Sequence, residues 1–232
     1  MIRIIISLAI IATLFLTSCS TTAPVTKAQA YEGIYSEKPV SILLMPPINR
    51  STNVEAKEYF HTSLNVPIAN AGYYVVPPFL SMEILKRESA YDAELFLEGP
   101  LAQFGEVFGA DLALFTIIHK WDKSSLAAKV YVDIEYIFKS TATNEVVYTR
   151  RGEVTYNTAV NMGGSGLAGL VANVAASAIN TAAAQYIHVA RACNTHTFTD
   201  LPKGTYSPAY LQDGQEYAGS KTFKVMLNSQ SF

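Results

Sequence analysis

The sequence predicts an α/β domain with a mixed sheet between layers of helix. Three observations predict it. Residues 40–76 read as a strand, a helix and a second strand, and residues 129–156 alternate strictly between apolar and polar side chains. Residues 163–190 form a long alanine-rich stretch with helical periodicity. A βαβ opening favours parallel pairing and two alternating segments joined by a short turn favour an antiparallel hairpin. The 232-residue length suits a single globular domain.

Composition excludes several classes of protein. Half of the residues are apolar and 16% are charged, so a predominantly disordered chain is excluded. Lys and Arg number 17 against 19 Asp and Glu, which gives a net charge of −2. Such a chain has no basic field to hold a polyanion, so we expect no nucleic-acid partner. Two cysteines do not make a disulfide scaffold.

The amino terminus carries an export signal. Arg3 is followed by mostly aliphatic residues 4–15, and this run is shorter than the roughly 20 residues that span a bilayer. Residues 1–18 are therefore predicted to be a signal peptide. Residues 16–19 read Leu-Thr-Ser-Cys, which resembles the bacterial lipobox. The resemblance implies cleavage before Cys19, a diacylglyceryl group on its sulfur and acylation, typically by palmitate, of the new amino terminus. Two or more acyl chains hold a protein firmly in a membrane.

The residue after the cysteine bears on the destination. Ser20 stands where an aspartate holds many lipoproteins of enteric bacteria at the inner membrane. The resemblance therefore implies the periplasmic face of the outer membrane. Residues 19–38 have no apolar periodicity and are predicted to be a lipidated tether that lets the domain stand off the lipid. Residues 39–232 are predicted to be the periplasmic domain with a carboxy-terminal arm.

The first half of the domain reads as a βαβ unit. Residues 40–45 are almost wholly apolar, as in a strand buried on both faces, and two prolines end the run. Apolar residues at helical spacing predict a helix over 54–71, and Pro67 predicts that this helix kinks or ends early. Residues 73–76 are the second strand. Short helices are predicted near 79–87 and 101–108.

The second half supplies the rest of the sheet. Residues 112–118 are continuously apolar, which places them in its middle. Residues 129–139 and 146–156 are predicted to pair as a hairpin with one wet face, and Gly152 is a candidate bulge. Residues 194–232 are predicted to be a turn-rich arm with a strand at 222–227.

The alanine-rich segment is predicted to pack on the sheet. Its broad apolar face is formed by Leu167, Leu170, Val171, Val174, Ala178 and Tyr186. Asn173, Ser177, Asn180, Thr181 and His188 lie on the opposite face. A membrane-spanning helix, the alternative, would expose those polar groups to hydrocarbon at a cost.

Several motifs resemble active sites without completing them. Residues 164–169 match GxGxxG, but the acidic residue expected about 20 positions later is missing, so we expect a tight turn and no cofactor. Leu167 breaks a GxSxG pattern around Ser165. The four histidines, His61, His119, His188 and His196, form no catalytic motif. His188, Cys193 and His196 lack a fourth ligand for a structural zinc.

The remaining thiol has two interpretations. Cys193 is predicted to be a buried small hydrophobe, and the alternative is pairing between molecules. The carboxylates form no acid/base pair. We therefore expect no catalytic, metal or cofactor-binding residue, and a protein that is not an enzyme.

Four segments carry a family resemblance. They are ILLMPPI at 42–48, GYYVVP at 72–77, FGADLALFTIIHKW at 108–121 and LPKGTYSP at 201–208. Together with the lipobox and tether, they look like a family of Gram-negative outer-membrane lipoproteins. That family is similar in fold to the amino-terminal domain of TolB and to the periplasmic domains of CsgG, LpoB and PelC.

The resemblance implies a role in the cell envelope through protein contacts. The chain is expected to be an accessory or assembly component of a secretion or export complex; regulation of a peptidoglycan synthase and transport-linked envelope maintenance are alternatives. Its expected partners are the membrane, other envelope lipoproteins or CsgG-like proteins, and a second copy of the chain. Tyr206 and Tyr210 are the candidate partner surface. The alternative from another class is a periplasmic small-ligand binder or enzyme, built on the turn between Gly163 and Gly169 together with His188.

Overall fold

A mixed seven-stranded sheet forms the centre of the protein. The computed structural model describes residues 24–159, 166–183 and 186–228, so the predicted signal peptide and Cys19 lie outside the described residues. The strands are β1 Ser41–Leu44, β2 Ile48–Asn49, β3 Tyr74–Val75, β4 Leu112–Ser124, β5 Lys129–Ser140, β6 Val146–Asn157 and β7 Thr222–Asn228. The strand order is β3-β1-β4-β5-β6-β7, and β2 pairs with β4.

The predicted α/β fold and its mixed sheet are confirmed. β1 is parallel to both β3 and β4, as the βαβ opening requires, and β4 lies in the interior of the sheet. β4, β5 and β6 are antiparallel neighbours, which confirms the hairpin. β7 adds to the edge parallel to β6.

Helices cover the sheet unevenly. They are α1 Lys27–Ala30, α2 Glu32–Glu37, α3 Ala56–Asn70, α4 Pro78–Arg87, α5 Glu94–Leu97, α6 Ala102–Phe108, α7 Gly166–Ala183 and α8 Tyr186–Phe198. The larger core holds Ile42 and Leu44 of β1 together with residues of α2, α3 and α8. Leu43 and Met45, on the other face of β1, join a smaller core with α4 and α6. β1 is thus buried on both faces, as its unbroken apolar run predicts.

The second face of β5, β6 and β7 is polar. The Arg151 guanidinium donates two hydrogen bonds of 2.8 and 2.7 Å to the Asp133 carboxylate. Lys224 Nζ lies 2.8 Å from Glu153 Oε2. This face carries charges between neighbouring strands, so the alternation of the sequence is confirmed as one buried and one wet side.

Pro67 does not end its helix early. α3 continues to Asn70, and the chain turns at Gly72 with a φ of +97°. Leu64 and Ile68 are fully buried on either side of the proline. Their packing stabilises the last turn despite the hydrogen bond that proline cannot donate.

The predicted bulge at Gly152 is wrong. Gly152 pairs with Ile134 in continuous register, and the irregularities of the ladder lie between Ile118 and Lys120 and between Phe138 and Lys139. A methyl group at position 152 would overlap the Phe223 ring. The glycine therefore makes room for an aromatic side chain of the edge strand.

The alanine-rich segment forms two helices. α8 packs into the core, where Val189, Ala190 and Cys193 are fully buried. α7 does not bury its apolar face: Leu170, Val171 and Val174 are 62%, 61% and 57% exposed. The prediction that this face packs on the sheet is thus wrong for these three residues, whereas Tyr186 of the same predicted face does pack against the core. The side chains of Leu167 and Ala178 lie outside the described residues. Among the described residues, no helix is long and apolar enough to cross a membrane.

The folded body begins before residue 39. Residues 27–37, which the sequence assigns to the tether, form α1 and α2. Lys27, Tyr31 and Ile34 are buried there. Two short helices with so few buried side chains leave no periodicity to detect in the sequence.

Candidate functional site

The glycine-rich turn that the sequence singles out falls largely outside the described residues. Positions 160–165 lie outside the described residues, and His188 is exposed. The His196 ring packs against the Phe223 ring in a tilted arrangement, with ring centroids 5.1 Å apart. Within residues 24–159, 166–183 and 186–228, no three His, Cys, Asp or Glu side chains lie close enough to hold a metal ion. Cys193 is a free, buried thiol, and burial raises its pKa, which confirms the first of its two interpretations.

The LPKGTYSP loop docks on the turn after α3. The backbone N–H of Gly204 donates to the Ala71 carbonyl and that of Tyr206 to the Gly72 carbonyl, both at 2.9 Å. A methyl group on Gly204 would lie 2.7 Å from the carbonyl carbon of Gly72, so the two backbones touch. The Tyr206 side chain is exposed, whereas Tyr210 is half-buried. Of the two predicted surface tyrosines, Tyr206 is the more accessible.

A buried ionic cluster fixes α1 to the carboxy-terminal arm. Lys27 is 4% exposed, and its Nζ lies 2.8 Å from Glu216 Oε2 and 3.4 Å from Asp213 Oδ2. Asp213 also accepts hydrogen bonds from the Tyr35 hydroxyl at 2.9 Å and the Lys203 backbone N–H at 3.0 Å. Burial opposes the charge on Lys27, but the two carboxylates outweigh it and the pKa of Lys27 is raised.

A second polar contact lies beside this cluster. The Tyr31 hydroxyl donates to the Asp200 carboxylate, which also accepts the Gly219 N–H at 2.7 Å. Burial raises the pKa of Tyr31, and the bond to Asp200 adds to the shift. Sequence reasoning missed both clusters, because their members are far apart in the chain and match no motif.

A groove of about 540 Å³ opens between α3 and α4. His61 lines it and is 6% exposed, and its Nε2 is buried without a hydrogen-bond partner. Burial lowers the pKa of His61 to about 4; a backbone hydrogen bond with Leu44 opposes the shift, and Lys57 and Lys86 add to it. The side chains around the opening include Lys57, Glu58, Asn65, Phe79, Met82, Glu83, Lys86 and Tyr91. Lys86 Nζ lies 3.2 Å from Glu83 Oε1.

The groove offers neutral, cationic and anionic groups to a ligand. At neutral pH the His61 imidazole is uncharged, so its unpartnered Nε2 is available to form a neutral hydrogen bond with a ligand. Lys57 Nζ sits 3.9 Å from the centroid of the Tyr91 ring. The groove combines an unsatisfied buried nitrogen with apolar walls and lysines, which is the composition of a small-molecule site.

Comparison with known families gives one match that spans most of the chain. A family model described as "Putative lipoprotein GNA1162-like" matches residues 29–205. A curated relative, "Putative lipoprotein NMB1124/NMB1162" of Neisseria meningitidis serogroup B, is 26% identical over 123 residues. The aligned region covers 53% of this chain and 54% of the relative, so the chain spans about half the length of that relative.

Solved structures of similar proteins include three from Gram-negative bacteria. Lipoprotein GNA1162 of Neisseria meningitidis has a TM-score of 0.47 at 21% identity, covering 63% of this chain and all of its own. A PelC dodecamer of Paraburkholderia phytofirmans scores 0.37 at 10% identity, with coverage of 66% and 88%. The LpoB carboxy-terminal domain of Salmonella enterica scores 0.36 at 12%, with coverage of 56% and 94%.

Proposed function

Since the chain belongs to the GNA1162-like lipoprotein family, we propose that it is a lipoprotein of the outer membrane, anchored through Cys19, with its domain in the periplasm. It acts through contacts with other envelope proteins, as an accessory or assembly component of a secretion or export complex. The proposal includes no catalytic activity for this chain.

The exposed apolar face of α7 supports a function through protein contacts. Leu170, Val171 and Val174 lie within about one helical turn, and α7 carries no charged residue. Contiguous apolar side chains on a protein surface mark interaction sites, whereas single ones do not. Fully burying a side chain of this kind against a partner is worth about 1.5–3 kcal/mol.

The end of α7 lies near the second half of β4. α7 ends at Ala183, three residues before Tyr186, whose ring lies 5.3 Å from that of Trp121 in the second half of β4. The Lys123 ammonium stacks on the same tyrosine at 4.1 Å. α7 therefore ends near the part of the sheet that leads to the turn between β4 and β5.

Site-specific photocrosslinking in intact cells tests this function. A photoreactive amino acid at Val171 is expected to give adducts with a defined envelope protein, identified by mass spectrometry. The matched control is Leu126, which is 97% exposed but isolated in the turn between β4 and β5. Equal adduct patterns at the two positions would refute a docking role for α7. Val171→Asp is expected to abolish adducts from a probe at Leu170 without lowering the unfolding temperature.

Radiolabelled palmitate tests the anchor separately. The wild-type chain should incorporate the label, and Cys19→Ala should not. Equal labelling of the two chains would contradict acylation at Cys19. Fractionation of the labelled envelopes then separates an outer-membrane location from an inner-membrane one.

The unpartnered His61 Nε2 favours a second candidate function, the binding of a small periplasmic ligand in the groove. This moves the predicted ligand site from the turn between Gly163 and Gly169 to the space between α3 and α4. A ligand with a carboxylate for Lys57 and a hydroxyl for His61 would fit these groups. Soluble muropeptides have both kinds of group and provide a probe.

NMR titration with muropeptides tests the groove. The His61 ring resonances should shift saturably, whereas those of the exposed His188 should not. His61→Gln should weaken binding several-fold. If the His61 resonances do not change during the titration, this second function is refuted. The proposal that α7 contacts a partner does not depend on that result.

A further inference from the structure

The chain is fixed to the folded body from Val25 onward. The Ala218 N–H donates to the Val25 carbonyl at 2.9 Å, and the Lys27 N–H donates to the Glu216 carbonyl at 2.8 Å. Between these two bonds, Thr26 pairs with Tyr217 in an antiparallel bridge. The Lys27 ammonium is then buried against Asp213 and Glu216. This amino-terminal bridge is where any tether from the membrane must end.

The tether is therefore much shorter than the sequence predicts. Five residues, 20–24, separate Val25 from Cys19, the acylated position in the proposed function on which this inference rests. A fully extended chain covers at most about 3.5 Å per residue, so the six steps from Cys19 to Val25 reach about 20 Å. The bridge cannot lie further than that from the acylated sulfur, and the domain cannot stand off the lipid freely.

The surface around the bridge is amphipathic. Tyr217 is 68% exposed and Val25 is 44% exposed. Leu211, two residues before the buried Asp213, is exposed as well. Tyrosine combines an apolar ring with a polar hydroxyl and is enriched where membranes meet water. The charged groups of the bridge, Lys27 and Glu216, pair with each other, so the bridge itself offers no free cation to anionic lipids. Lys38 and Lys203 line the same small depression as Leu211.

The end of the sheet near α7 lies far from the surface around the bridge. α2 packs on the start of β6, since a methyl group on Gly33 would lie 2.7 Å from Val147 Cγ1. At the other end of β6, the Thr158 N–H donates to the Ala128 carbonyl of the turn between β4 and β5 at 2.9 Å. The 12 residues of β6, Val146–Asn157, span about 36 Å between these ends at roughly 3.3 Å per residue.

We infer that the surface formed by Val25, Leu211 and Tyr217 lies against the periplasmic leaflet of the membrane. The partner of this surface is lipid, held by interfacial contact and not by charge. The turn around Leu126 then points into the periplasm, and α7 is displayed there to its protein partner. The amino-terminal bridge sets the orientation of the domain on the membrane.

Fluorescence quenching on vesicles tests this orientation. The acylated protein is reconstituted in phosphatidylcholine vesicles that contain a headgroup-quencher lipid. A fluorophore is attached to Tyr217→Cys or, as the control, to Leu126→Cys. Cys19 is blocked by acylation and Cys193 is buried, so labelling is confined to the introduced thiol. Quenching is expected to be several-fold stronger at position 217 than at position 126.

Equal quenching at the two positions would overturn the inference, because it would mean that the domain tumbles or stands off. Quenching at position 217 should also persist at about 0.5 M salt, where surface electrostatics are screened. Loss of this quenching at high salt would contradict a contact with lipid that does not depend on charge. Flotation of the protein with the vesicles distinguishes the two proposals: absence of flotation contradicts the anchor, whereas flotation with equal quenching contradicts only the lipid-facing surface.

Discussion

Replacement of Lys27 by methionine should release α1 from the carboxy-terminal arm. The substitution keeps most of the side-chain volume and removes the ammonium that lies 2.8 Å from Glu216 and 3.4 Å from Asp213. Asp213 is only 2% exposed, so its carboxylate would stay buried without a counter-charge. Its hydrogen bonds from Tyr35 and the Lys203 N–H would remain.

The expected cost follows from this geometry. Removing one partner of a buried ion pair destabilises a protein by about 3–5 kcal/mol. The two remaining hydrogen bonds of Asp213, and the exposure of Glu216 to water, place Lys27→Met at the lower end, about 3 kcal/mol. For a chain of this size, that corresponds to a fall of about 6–12 °C in unfolding temperature.

Thermal unfolding followed by circular dichroism measures the effect. The control is Lys86→Met, which removes an exposed ion pair with Glu83 at 3.2 Å and should cost about 0–1 kcal/mol. Adding Asp213→Asn to Lys27→Met should recover part of the loss, because the uncompensated charge disappears. If Lys27→Met shifts the unfolding temperature no more than Lys86→Met, the ionic cluster does not stabilise the fold.

The pH dependence of this cluster has a definite sign. The pKa of Lys27 is raised above its ordinary value of 10.5 in the folded state. Its contribution to the free energy of unfolding is therefore complete below pH 10.5 and is lost as the pH rises through the folded value. The difference in stability between the wild type and Lys27→Met should shrink in that alkaline range and stay constant near neutrality.

Three other predictions concern buried groups. Since the pKa of His61 is about 4 when folded and about 6.5 when unfolded, acidification from pH 6.5 to 4 should lower the free energy of unfolding by about 3 kcal/mol. Urea titrations should show that His61→Gln removes this slope and His188→Gln keeps it. Gly204→Ala should cost about 3 kcal/mol through backbone overlap, whereas Gly109→Ala, with open space and a φ of +62°, should cost about 1 kcal/mol; equal urea midpoints would refute this. Cys193 should react with a thiol reagent only after denaturation, and rapid labelling of the native protein would contradict its burial.

The strands were predictable because their signals are local. Each side chain of a strand points to a fixed face, so the apolar run at 42–45 and the alternation after Lys129 report burial directly. The same logic predicted that β4 lies inside the sheet. The predicted length of β4 was too short, because its second half, from His119 to Ser124, alternates less clearly.

The candidate sites were less predictable because they join distant segments. Lys27 and Asp213 are 186 positions apart, and only the fold brings them together. The groove depends on the distance between α3 and α4, and the sequence of neither helix predicts that distance. His61 was visible in the sequence as a histidine outside any motif; its unsatisfied nitrogen is a property of its surroundings.

Residue periodicity and the motif at Cys19 thus defined the class of fold, the buried strands and the expected mode of attachment to the envelope. The tertiary structure decided which apolar surfaces are covered and where the body begins. α8 occupies the space over the sheet, and the apolar face of α7 is left exposed. Periodicity records that one face of a helix is apolar. Whether that face is buried depends on which other element packs on the same surface, and this is a property of the whole fold.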